Sequence, residues 1–521
     1  MTAKEVVVRT YRSNRSRNML PRTCEPEQLY KPHMIHASQR RQLPCEQRGE
    51  VGARETGYDF EKSAMTKTNP IERLESVVTY AADHPFPLEN LPWTVFSTTQ
   101  DPTRRCAVRI ADQLVDLTQL SSAAADAFSD SPFSADQAAS LFSQSTLNAY
   151  LAQPRHIHQA FRGFLQHILS AGSPVFASRP QLLDDVLIPV ERATLHLPIR
   201  AGDYTDFCAS KYHCTSTGRL MFNDPTRPLE DQWYQLPIGY HGRSSSLVIS
   251  GTNFARPRGI FRTKPGSPDV EFGPSKRMDF ELEVAFVVGG QGAADSEDLN
   301  ALGRPVGLEH AEELIFGMML MNDWSARDIQ GYEMNPLGPF TGKNFATTLS
   351  PYLVELAALE PFRVASPTVE HTPFAYLDHK GKGTTWDVNL QAHLAPSSAG
   401  DVKTWTKITD TSLKHVYWTA AQMVAHHTVT GCNLRAADTF ATGTVSGPFE
   451  DPHSEASLIE ACKAGRQPIP LVTQKGGEAQ TRTFLEDGDE IRITGSAYDA
   501  DSKLHIGFGE CTGQLLPAEQ L

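Results

Sequence analysis

Two glutamates set two residues apart raise the first chemical question. In MDFELEVAFVVGG, residues 278–290, Glu281 and Glu283 alternate with Phe280, Leu282, Val284 and Phe286, and the β-branched and aromatic content reads as a strand. Side chains of a strand alternate between faces, so both carboxylates leave the backbone on the same side. Like charges that close raise each other's pKa and cost free energy unless a cation lies between them. The stretch by itself fits either a strand with one wet face or a seat for a hard cation.

Two other segments carry chemistry-bearing groups at suggestive spacing. In FGMMLMNDWSARDIQGYEMNPLGPFTGKNFATT, residues 316–348, an apolar strand runs into Asn322-Asp323 and SARDIQ reads as a helical turn. Such a turn places Asp323, Arg327 and Gln330 at i, i+4 and i+7 on one face, close to Lys343 in a glycine-flanked loop. The plain alternative is an Asp N-cap with an i,i+4 ion pair on a solvated face. In AGDYTDFCASKYHC, residues 201–214, Asp203 and Asp206 lie in a polar turn and His213 follows. A histidine becomes a general base when a carboxylate orients it, and none is adjacent in sequence. Two phosphate-loop lookalikes are set aside. GGQGAAD (289–295) lacks the third glycine of a dinucleotide fingerprint, and GPFTGKN (338–344) is one residue short of a phosphate loop, with Asn344 in place of Ser or Thr.

The elements that must position these groups can be sketched. The chain has 521 residues, 40% of them hydrophobic, with no apolar run long enough to cross a bilayer, so a soluble protein of two or more domains is expected. A net charge of -13 argues against nucleic acid and for a small-molecule partner. Eight scattered cysteines without a C-x-x-C pair suggest neither a zinc ribbon nor a disulfide framework, and a reducing cytoplasmic setting fits. Residues 1–75 begin with Lys4, Arg9, Arg12, Arg15, Arg17 and Arg22 and sustain no hydrophobic period, which reads as a disordered extension or, alternatively, a transit peptide. Residues 76–197 read as a small β-rich domain, with a hairpin in RCAVRIADQLVDLTQL turning near Ala111-Asp112 and helical spacing in AAADAF, NAYLAQ and IHQAFRGFLQHIL. Residues 198–521 read as mainly β, with local helices near 308–316, 324–331 and 411–428.

Eight motifs then occur in order: DYTDF with a following His, GYHGR (239–243), ELE (281–283), NDWSARDIQ (322–330), PLGPF-x-GK (336–343), HH-x-V-x-GCNLR (426–435), GT-x-SG (443–447) and TRTFLEDGDE (481–490). Together they resemble the fumarylacetoacetase family from about Phe86-Pro87 to the C-terminus. The resemblance implies a fold that is mainly β with some α, a small β-barrel-like N-terminal domain followed by a catalytic β-roll domain. It implies a homodimer and hydrolysis of a carbon-carbon bond in a β-diketone. It implies calcium on Asp206, Glu281, Glu283 and Asp323, and magnesium near Asp323, Lys343 and Thr347.

Breaking a carbon-carbon bond with water needs an activated nucleophile, a polarised carbonyl and a stabilised carbanion. By resemblance His213 is the base, oriented by Glu460. Arg327, Gln330 and Lys343 stabilise developing negative charge, and Tyr240 and Thr444 position substrate. Three positions depart from the family pattern: Cys208 and Met334 stand for tyrosines and Asn223 for an arginine. Loss of those polar groups suggests, as the alternative to fumarylacetoacetate, a different 1,3-diketo acid as substrate.

Overall fold

The computed structural model describes residues 71–264, 266–290, 298–300, 303–397, 403–472 and 479–520. The extension expected over 1–75 therefore lies outside the described residues as far as residue 70, as does GGQGAAD from residue 291 onward. The described chain mixes strand and helix with more strand than helix.

Trp93–Thr98, Arg105–Ile110 and Gln113–Asp116 form an antiparallel meander, extended by Leu187–Pro189 on one edge and Ala193–His196 on the other. The hairpin expected at Ala111-Asp112 is present, with Ala111 at φ +50. The strand reading runs too far, however. Asp116 ends it by accepting the amides of Thr118 and Gln119 as an N-cap, so LTQL begins the helix Leu117–Ala123. Helix Arg155–Ile168 buries His158, Phe161, Phe164, Leu165 and Ile168 along one stripe. Phe161 joins Trp93, Phe142 and Tyr150 in an aromatic cluster, where full burial of one such side chain contributes about 1.5–3 kcal/mol.

An eight-stranded sheet builds the remainder. Its main path runs Gly239–His241, Tyr204–Phe207, Thr439–Ala441, Leu282–Val288, Ile315–Asp323, Thr347–Leu349 and Leu247–Ile249, with Val354–Glu355 pairing beside Ile315–Asp323. Its two faces differ. Leu282, Val284, Phe286 and Val288 enter a core shared with a second sheet that includes Asn389–Ala395, Glu490–Asp499 and Leu504–Leu516. There Gly495 lets the layers touch, since a Cβ would stand 2.6 Å from Leu320 Cδ2. The other face, carrying Tyr204, Ala285, Val287, Met319 and Met321, packs beneath the aromatic cluster of residues 88–186. By strand parity Asp206, Glu283 and Asp323 lie on this same second face. One face is thus apolar at one end and acidic at the other.

This arrangement corrects two readings. The strand bearing the glutamates has no wet face, for Leu282–Val288 is buried throughout. It is also interrupted: Met278–Asp279 pairs with Ser325–Ala326, while Glu281 sits between the two strand segments, bridged to Ser457. Similarly, Asp323 ends a strand, and the helix starts only at Arg327. Asp323 and Arg327 therefore do not share a helical face. The ladder with Thr347–Leu349 holds Asp323 extended, a tertiary pairing the local spacing does not reveal.

Candidate active site

The acidic end of the sheet opens into a cavity of about 440 Å³. Asp206, Glu283 and Asp323 each offer a carboxylate oxygen, and these oxygens all lie within 4.8 Å of one another. All three residues are buried. Register explains the meeting: Asp206 is one strand from Ala441, which pairs Ala285; Glu283 faces Met321, two residues before Asp323. The Tyr240 hydroxyl donates to Asp206 Oδ2 at 2.6 Å and lies 3.0 Å from Asp323 Oδ2. Thr347 Oγ1 donates to Asp323 Oδ1 at 2.6 Å.

Charge balance within the cluster is uneven. Among the described residues, both carboxylate oxygens of Glu283 and Oδ1 of Asp206 are buried without a hydrogen-bond partner. Burial, then the Asp206 and Asp323 charges, push Glu283 well above the usual carboxylate range; burial and Asp323 do the same to Asp206. Orphaned, converging oxygens of this kind fit a hard divalent cation, which takes the place of the protons. Glu281 faces differently. Its Oε1 meets Arg327 Nη1 at 2.6 Å and its Oε2 meets Lys343 Nζ. Burial alone raises its pKa, but Arg327 and Lys343 outweigh it and hold the carboxyl below its ordinary value. Lys343 Nζ also lies 2.5 Å from Asp323 Oδ2. Around Lys343 and Thr347 the Glu281 and Asp323 carboxylates are already paired with the Lys343 ammonium, and one hydroxyl remains, a set that does not fit a second cation at the position implied for magnesium.

Across the cavity, His213 Nδ1 is 2.7 Å from Glu460 Oε2. The residues are 247 apart in sequence and joined by two local devices. Ser210 N-caps helix Lys211–Phe222 by accepting the His213 amide. The Ser446 and Ser457 hydroxyls, at 2.9 and 2.7 Å, fix Glu460 Oε2. Burial raises Glu460, yet His213 and the two serines outweigh it and hold the carboxyl below the usual range. With Nδ1 engaged as donor, Nε2 is the acceptor of the neutral ring.

Cys208, Tyr240, Gln330, Met334 and Thr444 also line the cavity. Gln330 Oε1 is 3.4 Å from Arg327 Nη1. Thr444 follows Gly443, whose φ of +72 and approach to Phe207 (1.9 Å from a Cβ to its carbonyl oxygen) admit only glycine. Asn223 is not brought in. It ends its helix in the left-handed region at φ +51 and accepts from Arg466 Nη1 at 2.6 Å on the surface. Cys208 and Cys214 form one disulfide, which the scattered cysteine spacing, suggesting no disulfide framework, does not reveal. The start of helix Lys211–Phe222 turns Cys214 back toward the strand end, a fold-level closure that spacing alone does not signal.

Sequence reasoning missed Asp279. It is fully buried; its Oδ2 accepts Arg327 Nε at 2.8 Å, and its two oxygens accept the Leu458 and Ile459 amides beside Glu460. The signal was the alternation Asp279, Glu281, Glu283 in DFELE.

The comparisons with known proteins now bear on this geometry. The family model described as fumarylacetoacetate (FAA) hydrolase C-terminal matches residues 204–515, and the one described as fumarylacetoacetase N-terminal matches residues 89–198. The chain belongs to the fumarylacetoacetate hydrolase family. Within the family, the fumarylacetoacetase of Caenorhabditis elegans is 43% identical over 449 residues, covering 86% of this chain and 100% of the relative. The fumarylacetoacetase of Homo sapiens is 42% identical over 443 residues, covering 85% and 99%. A solved fumarylacetoacetate hydrolase from Exiguobacterium antarcticum, 16% identical, covers 82% of this chain and 100% of its own at a TM-score of 0.42.

Proposed function

We propose that this protein hydrolyses the carbon-carbon bond of fumarylacetoacetate to fumarate and acetoacetate, the closing step of tyrosine and phenylalanine breakdown. One observation carries the reading: a Glu460-oriented His213 lines the same cavity as Asp206 and Glu283 of the buried carboxylate triad, together with Arg327 and Lys343. Family relatives named fumarylacetoacetase, similar along nearly their whole length, support this substrate. They do not favour the alternative of a different diketo acid inferred from Cys208, Asn223 and Met334.

Asp206, Glu283 and Asp323 would hold a hard divalent cation, calcium or magnesium, which would supply Lewis-acid polarisation when bound. Glu281 takes part through the Arg327 and Lys343 side chains it pairs with. His213 Nε2 removes a proton from water, and the nascent hydroxide adds to the carbonyl carbon that becomes a fumarate carboxylate. Glu460 stabilises the resulting imidazolium and fixes its tautomer. The tetrahedral intermediate collapses, the carbon-carbon bond electrons pass to the acetoacetate fragment as an enolate, the proton held by His213 passes to its carbon, and the new fumaric carboxyl loses the other water proton to solvent.

Arg327 Nη2 is buried without a partner among the described residues and lines this cavity, so it suits the substrate's developing negative charge. Lys343 and Gln330 supply further donors, each such contact being worth about 3–4 kcal/mol in the transition state. Tyr240 keeps its proton, since burial and then Asp206 and Asp323 push its pKa well up, and it orients both carboxylates. A homodimer is part of the proposal; exposed Ile260 and Phe272, paired across their hairpin, offer it an apolar surface, and size-exclusion chromatography with light scattering tests it. No described helix is long and apolar enough to cross a membrane. A cytoplasmic site of action is part of the proposal, tested by fractionation. Purified protein incubated with fumarylacetoacetate and calcium or magnesium should release fumarate and acetoacetate in equal amounts.

A further inference from the structure

We propose that Cys208 and Cys214 are a reversible thiol-disulfide site that positions the His213 base within the reaction proposed above. The two cysteines join the elements that must stay in register. Cys208 follows strand Tyr204–Phe207 two residues after Asp206, and Cys214 directly follows His213 on helix Lys211–Phe222. A bond between them therefore fixes the base relative to the carboxylate triad. Backbone contacts hold the strand side firm: the Cys208 amide donates to Ile238 O at 2.8 Å, and its carbonyl accepts Trp233 Nε1 at 2.8 Å. On the helix side Cys214 directly follows His213, so the cross-link adds to the Ser210 cap and the Glu460 contact in holding the first turn. The sequence separation of 6 closes only a short loop, so the entropic stabilisation is at the low end for a disulfide and position is the larger consequence.

Its place on the cavity separates Cys208 from the other cysteines of the described residues. Cys208 lines the substrate cavity, whereas Cys106, Cys462 and Cys511 are buried and Cys432 is exposed away from it. Burial pushes the Cys106 thiol up to about 12 and the Cys462 thiol up to about 11, which keeps both unreactive. The exchange partner is a low-molecular-weight disulfide of the glutathione class. The Cys208 thiolate attacks one of its sulfurs and expels one small thiolate. The Cys214 thiolate then attacks the Cys208 sulfur of the mixed disulfide and expels the second. Two protein thiols are oxidised and one small disulfide is reduced to two thiols, the two protons of the protein thiols passing to the two expelled thiolates.

The test equilibrates the full-length protein with oxidised or reduced glutathione and quenches free thiols with iodoacetamide before trypsin digestion. Lys211 lies between the two cysteines, so the oxidised pair should appear as two peptides joined by one disulfide. In parallel, carbethoxylation of His213 by diethylpyrocarbonate is followed by mass spectrometry, and kcat and KM are measured with fumarylacetoacetate. Reduction should lower kcat on the order of tenfold with KM unchanged, the scale for displacing a catalytic group by a fraction of an ångström. It should also speed His213 carbethoxylation several-fold. Cys214→Ser should behave like the reduced wild type under both conditions. Absence of the joined peptides after oxidation overturns the inference, as does equal His213 labelling in the two forms. Complete lack of fumarylacetoacetate turnover counts against the proposed reaction instead, and the His213 labelling then decides the positioning role alone.

Discussion

Asp279 and Arg327 meet at 2.8 Å, Oδ2 to Nε, with both side chains buried. The same carboxylate accepts the Leu458 and Ile459 amides, so one residue couples the guanidinium that faces the cavity to the helical turn bearing Glu460. Asp279→Asn keeps the shape and removes the charge. Arg327 retains Glu281, so the expected loss is that of one charge-assisted contact, about 2–3 kcal/mol by urea denaturation, together with a lower kcat. Unchanged stability and turnover would remove Asp279 from the site's framework.

His213→Ala should lower kcat by about 10²- to 10⁴-fold, the range for loss of a general base, while the cation-induced rise in melting temperature persists. Glu460→Gln should act in the same direction with a smaller effect, because the ring remains and only its orientation and charge compensation are lost. Comparable turnover in wild type and His213→Ala would assign the base elsewhere.

Cation removal should read out directly on stability. A ligand at about 100 times its Kd stabilises a fold by about 2.7 kcal/mol, so exhaustive chelation should lower the melting temperature and added calcium or magnesium should restore it. Binding should release protons in weakly buffered solution, since Glu283 and Asp206 have raised pKa values when no cation balances them. Glu283→Gln should abolish both responses. A melting curve indifferent to chelator and ion would speak against the triad as a cation site.

Much of this site was legible before any coordinates, and the reasons differ by residue. Strand parity joins Glu281 to Glu283, but the strand begins only at Leu282, and Glu281 pairs with Arg327 and Lys343 while Glu283 joins Asp206 and Asp323. The His213–Glu460 contact is not local at all; only the ordered motifs pointed to it. The spacing of Asp323 and Arg327 permits one helical face, and the sheet ladder overrides that preference. The Cys208–Cys214 bond was missed because it depends on a helix start that folds back onto a strand end. Asp279 was overlooked although it shares the parity of the glutamates, since an aspartate next to a turn reads as an ordinary cap.

A pH-dependent stability change should trace to His158. It is buried, its Nε2 lies 2.8 Å from the Tyr150 carbonyl oxygen, and burial lowers its pKa to about 4. A histidine depressed in the folded state contributes stability above its unfolded pKa of about 6.5, and that stability is lost as pH falls toward 4. Between pH 7 and pH 5 this group should cost about 2 kcal/mol. Urea midpoints for wild type and His158→Gln across that window check it: the variant's decline should be shallower, and parallel declines would contradict the assignment.

The most direct measurement is steady-state turnover of fumarylacetoacetate by the purified protein with added divalent cation, followed by quantification of both products. Cleavage to fumarate and acetoacetate in a one-to-one ratio, abolished by His213→Ala and by Glu283→Gln, is the predicted result. No cleavage of fumarylacetoacetate under conditions where the protein is folded and cation-loaded would contradict it.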